Sequence, residues 1–93
     1  MDADSFDNVF DALADTPAEA ANRKARSTLL TALTRKVRSW NVTQGVAAAR
    51  LGITRPRLND LLQGKLSKFS LDALVNIATA AGLVFEITIA EAA

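Results

Sequence analysis

The strongest restriction on this chain is its punctuation. A hydroxyl residue opens each of four apolar-periodic runs (Thr16, Thr43, Thr54, Ser70), and a glycine closes three of them (Gly52, Gly64, Gly82). Thr and Ser oxygens accept bonds from the unpaired amides of a helix's first turn, and glycine enters the left-handed position that stops a helix at no steric cost. A chain marked this way folds as short helices packed side by side, whereas the strands of a sandwich or barrel need none of these signals. The apolar content agrees: 18 of the 93 residues are alanine and only 5% are aromatic, which suits close helix contact. A chain of this length buries only about 60 to 65% of its unfolded surface, so residues 1–93 are expected to form one domain around one core.

Phe6, Val9, Phe10 and Leu13 recur at helical spacing, which predicts an acidic leader helix within residues 1–15, ending near Ala14. Thr16-Pro17-Ala18-Glu19 reads as a capping box with Pro at the first helical position, opening a long helix to about Ser39. Ala25, Leu29, Leu30, Leu33, Val37 and Trp40 are expected to face inward, with Trp40 in the core, while Arg23, Lys24, Arg26, Arg35 and Lys36 stay in water. Thr43 opens a helix over 44–51, and Thr54 opens another over 55–63 in which Pro56 sits in the first turn. A loop at 65–69 leads to a helix over 71–81 with Leu71, Leu74, Val75 and Ala78 inward. Beyond Gly82, Leu83, Phe85, Ile87 and Ile89 alternate with Val84, Glu86, Thr88 and Ala90. That period of two predicts a β-strand over 83–89, with no partner elsewhere in the chain. The expected fold is therefore all-α, five helices followed by one C-terminal strand.

Missing residue types narrow the function. With no His, Cys or Tyr, the chain has no thiol nucleophile, imidazole base, Cys/His metal site or disulfide. It also lacks a Ser-x-x-Lys dyad, a phosphate-binding Gly-Lys loop and any cofactor fingerprint, so an enzyme, a cofactor and a metal are not expected. The net charge of +1 conceals a segregation. Residues 1–20 hold six acids and no base, residues 21–68 hold all eleven Lys and Arg against the single acid Asp60, and residues 69–93 hold three acids. A middle block of net charge +10 points to a polyanionic partner. The acidic start does not read as a secretory signal, and no stretch reaches the roughly 20 apolar residues of a membrane span. A cytoplasmic protein without membrane contact is expected.

Residues 43–64, TQGVAAARLGITRPRLNDLLQG, place Gln44 at the opening of one helix, the small Ala48 midway, Gly52 at the turn, and Ile53, Leu58 and Leu61 along the second helix. Two helices that cross closely need a minimal side chain at the crossing, a sharp turn, and aliphatics filling the angle. This pattern resembles the helix-turn-helix of the Xre/Cro (phage repressor-type) family. The resemblance implies that the second helix lies in the major groove of double-stranded DNA. On a wheel of about 100° per residue, Leu58, Leu61 and Leu62 lie between roughly 240° and 340° from Arg55. The outward face is then Arg55, Pro56, Asn59, Asp60 and Gln63, the candidate base contacts. Asn grips adenine and Arg grips guanine through paired bonds, so Asn59 and Arg55 are the leading base readers, while an Asp can accept only from cytosine. Arg57 lies on the flank, within reach of base or phosphate; Thr43, Gln44, Thr54, Lys65 and Lys68 are the remaining candidate phosphate contacts.

Over nearly the whole chain, the order of leader, long helix, motif, FSLDALVNIATAAG helix and terminal strand is similar to small HigA-type antitoxins. The resemblance implies a transcriptional repressor that regulates its own gene and binds a toxin protein. Six acids at the front suit a basic toxin surface. Antiparallel pairing of the tail between two copies, with Leu83, Phe85, Ile87 and Ile89 at the interface, satisfies the bare ladder and makes a homodimer. It also sets two groove helices about 34 Å apart on an inverted-repeat operator. The rival reading is a protein–protein module that uses the helical domain as scaffold, distinguished by weak and fully salt-sensitive DNA binding.

Overall fold

The computed structural model describes residues 16–92, so the leader helix expected within 1–15 lies outside the described residues. The element order is α1 (Pro17–Ser39), α2 (Gln44–Leu51), α3 (Arg55–Leu62), a 3-10 turn (Leu66–Lys68) and α4 (Leu71–Ala80). The described residues hold the four α-helices expected over this span, and the 3-10 turn occupies the expected loop at 65–69. Among them no helix is long and apolar enough to cross a membrane.

Each helix starts where its hydroxyl residue dictates. Thr16 Oγ1 accepts from the Glu19 amide at 3.1 Å while Glu19 Oε2 accepts from the Thr16 amide at 3.5 Å, which closes the capping box. The side-chain oxygens of Thr43, Thr54 and Ser70 accept from the amides of Val46, Arg57 and Ala73 at 3.3, 3.2 and 3.1 Å. A cap of this kind stabilises by about 1 kcal/mol. At the far end of α2, Gly52 takes φ +69°, and the amides of Gly52 and Ile53 reach the carbonyls of Ala49 and Ala48 at 3.2 and 3.0 Å. The two bonds satisfy carbonyls that the helix leaves free, and the turn swings Ile53 back against the core. The same pair recurs after α3, where Gly64 donates to Leu61 and Lys65 to Asp60. Gln63 is therefore the cap of α3 and not its last helical residue, and Ala81 likewise caps α4.

α1 packs on α4 and α2 on α3, with α1 also touching α3 and α2 touching α4. Phe69, Leu33, Leu58, Leu61 and Leu74 are fully buried at the centre, and buried Ala47 and Ala48 let α2 approach its neighbours closely. Phe69 is a correction, since the segment reads as a loop and yet supplies one of the largest buried side chains. Trp40 is another: it is half-buried at the rim, with the Arg50 guanidinium 5.1 Å above its ring, so the indole trades full burial for a cation–π contact. Arg26 is not left in water. Its Nη1 donates to the carbonyls of Leu66 and Phe69 at 3.2 and 3.5 Å, and its Nε to Asn22 Oδ1 at 2.7 Å. One guanidinium thereby ties α1 to the 3-10 turn, using donors that a Lys would not present in a fixed fork.

On the α1–α4 face Leu30, Leu33, Leu74, Ile77 and Ala78 are buried, whereas Ala25, Leu29, Leu71 and Val75, all expected inward, are half-buried. These four border a cleft whose other side is formed by Phe85, Glu86 and Ile87 of the tail. The tail itself corrects the expected strand: residues 83–92 carry no regular secondary structure. A strand exists through its ladder, and the described residues offer no second strand to pair with. The Leu83 amide instead donates to the Ala78 carbonyl at 3.0 Å and its side chain packs on the core, so Leu83 belongs to the end of α4. Beyond it Val84, Ile87 and Ile89 are 92%, 75% and 89% exposed.

Candidate nucleic-acid interface

The turn Gly52-Ile53-Thr54 sets α3 against α2 so that Leu58 and Leu61 point to the core and the opposite face points out. On that face Arg55, Pro56, Asn59 and Gln63 are exposed, while Asp60 and Arg57 are half-buried on one flank. The side chains of Asn59 and Gln63 make no hydrogen bond among the described residues, so both amides keep every donor and acceptor for a ligand.

The amino ends of α2 and α3 come together. The Arg55 side chain lies across the first turn of α2, where a Cβ built at Gly45 would stand 3.9 Å from Arg55 Cδ and 4.0 Å from Thr43 Oγ1. Arg55, Thr43 and Gly45 are therefore neighbours, beside the exposed Gln44. The Thr43 and Thr54 hydroxyls spend their oxygens accepting helix amides, which leaves each O–H free to donate to a phosphate oxygen.

The other flank of α3 is a network. Asp60 Oδ1 lies 3.3 Å from Lys65 Nζ and its Oδ2 lies 3.6 Å from Lys68 Nζ, so one carboxylate gathers both lysines of the following turn. Both lysine side chains remain about half exposed, and such pairs stabilise a fold by about 1 kcal/mol or less, so their effect is to hold the lysines beside α3. Arg57 is likewise held, its guanidinium 4.5 Å above the Phe69 ring and its Nη1 donating to the Lys68 carbonyl at 3.5 Å. Sequence periodicity groups Asp60 with the base readers because it sees only the helix. The lysines that claim the carboxylate lie beyond the Gly64 turn, at a spacing that no helical wheel covers.

Two short helices joined through a left-handed glycine, the second showing a polar and cationic face, make a helix-turn-helix unit. The helix-turn-helix domain family matches residues 12–90, and the chain belongs to that family. No curated relative matches the sequence. Family and geometry together define a DNA-binding helix-turn-helix domain.

Proposed function

We propose that the protein is a sequence-specific, non-catalytic transcriptional repressor of the Xre/Cro type that reads an inverted-repeat operator as a homodimer. The outward face of α3 carries this reading: Asn59 and Gln63 stand exposed with unspent amides, Arg55 is posted at the helix start, and hydroxyls and lysines flank them. Asn59 and Arg55 take the base edges, Thr43, Gln44, Thr54, Lys65 and Lys68 take phosphates, and Pro56 and Gln63 shape the fit in the groove. The exposed apolar residues of 84–89 support dimerisation, since a second copy would both cover them and supply the missing ladder. Similarity to HigA-type antitoxins supports a cytoplasmic, self-regulating antitoxin whose acidic leader meets a basic toxin.

The test is a gel shift against DNA from upstream of the protein's own gene, with random DNA as competitor. Asn59→Ala is expected to lose about 1 to 3 kcal/mol on the cognate duplex with little change on random DNA. Normal cognate binding by Asn59→Ala would overturn the assignment of α3 to the groove. Asp60→Asn removes the carboxylate that holds Lys65 and Lys68 and that repels phosphate. It is expected to tighten binding to random duplex by up to about 1 kcal/mol, roughly fivefold, in the same assay. Weaker binding to both duplexes would instead mean that organising the lysines outweighs the repulsion.

A further inference from the structure

α1 contributes to the same surface in a way that the helix-turn-helix motif does not contain. Arg35 and Arg38, in its last turns, are exposed, and with Thr31 and Thr34 they form one wall of a groove whose other wall is Leu62, Gln63 and Gly64. Gln63 is the last member of the outward face of α3, so the groove is a direct continuation of that face. Among the described residues no acid lines it, and neither guanidinium has an ion pair or hydrogen bond. The Thr31 hydroxyl is committed to the Ser27 carbonyl at 2.9 Å, and the two guanidinium groups are the charged donors of the groove, beside the neutral Thr34 hydroxyl and Gln63 amide. On the opposite side of α3 stand Lys65 and Lys68. Cations therefore border the helix on both sides, and a helix in a major groove has one phosphate strand on each side of it.

We propose that Arg35 and Arg38 grip the sugar-phosphate strand that passes the carboxyl end of α3, making the end of α1 the second wall of the DNA cleft. The proposal rests on α3 being the groove helix. The guanidinium fork suits a phosphate through two parallel bonds, so two phosphates are the natural ligands. A last-turn cation also complements the dipole of its own helix, but that role needs no particular face, whereas these two arginines share the face that meets Gln63.

The experiment measures affinity for a short random-sequence duplex as a function of salt, using the full chain. Arg35→Gln with Arg38→Gln is expected to reduce the slope of log K against log salt by about 1.8, that is 0.9 for each phosphate no longer neutralised. The same pair changed to Lys should keep most of the slope. Lys24→Gln, a change at an exposed cation beside the Phe85–Ile87 cleft, is the control and should leave the slope unaltered. Circular dichroism should show equal helicity in all variants. An unchanged slope in the double Gln variant, beside an Asn59→Ala variant that loses cognate binding, would overturn the second wall and leave α3 in place. If Asn59→Ala also binds normally, the groove assignment fails together with the wall. A fall of about 0.9 for Lys24→Gln, the same per charge removed, would reduce the effect to overall charge and overturn the proposal as well.

Discussion

Leu58→Ala is expected to abolish DNA binding by unfolding the domain. Leu58 is 0% exposed and lies with Leu61, Leu33, Phe69 and Leu74 at the centre of the molecule, where α3 meets α1 and α2. Shortening a buried Leu costs about 2 to 5 kcal/mol through lost transfer energy and the cavity left behind. A domain this small has a stability near the lower end of about 5 to 15 kcal/mol, so the loss is a large share of the total. Each kcal/mol moves the melting temperature of such a domain by about 4 to 8 °C, so the thermal transition followed by circular dichroism should shift down by roughly 8 to 40 °C. Leu62→Ala, at a half-buried position on the same helix, should cost distinctly less. A Leu58→Ala protein that keeps its melting temperature but binds no DNA would place Leu58 in the groove and require a rotated α3.

The second large effect concerns the tail. A stop codon after Leu83, and not after Gly82, preserves the bond from the Leu83 amide to Ala78 and the Leu83 side chain on the core, so α4 keeps its cap. What is removed is Val84 to Ala93, including the exposed Val84, Ile87 and Ile89. If two copies join through this segment, the truncated chain is a helical monomer. Linking two binding modules raises affinity by about 100- to 10,000-fold without any new interaction, so binding to an inverted repeat should fall by that order while weak binding to a half-site survives. Sedimentation velocity checks the assembly state and a gel shift checks the affinity. A truncated chain that still sediments as a dimer would move the interface to the helices, with the cleft between α1 and α4 as the first place to examine.

Features written in local chemistry were legible in the sequence. A cap is a bond between a side chain and an amide three residues away, so Thr16, Thr43, Thr54 and Ser70 announce their helices without help from the rest of the fold. The same holds for Gly52 and for the outward face of α3, because both follow from residue spacing alone. What escaped depends on neighbours that lie outside a residue's own helix. Phe69 is a single apolar residue between a turn and a cap, with no periodic neighbour to mark it as core. Arg26 reads as a wet helical cation until the 3-10 turn, 40 residues later, presents the Leu66 carbonyl to it. Asp60 and Arg57 read as members of a helix face until the next turn brings Lys65, Lys68 and Phe69 beside them. The tail shows its alternation in the sequence, but a ladder requires a second strand, which the described residues do not supply.

Specific recognition by α3 is tested most directly by selecting, at physiological salt, from a pool of random duplexes with the wild-type chain and with Asn59→Ala in parallel. The wild type is expected to enrich an inverted repeat whose half-sites are centred about one turn of DNA apart, and Asn59→Ala to lose preference at one symmetric pair of positions within it. Binding without enrichment of any sequence, lost as salt is raised, would contradict sequence-specific reading and leave the domain a scaffold with a basic surface.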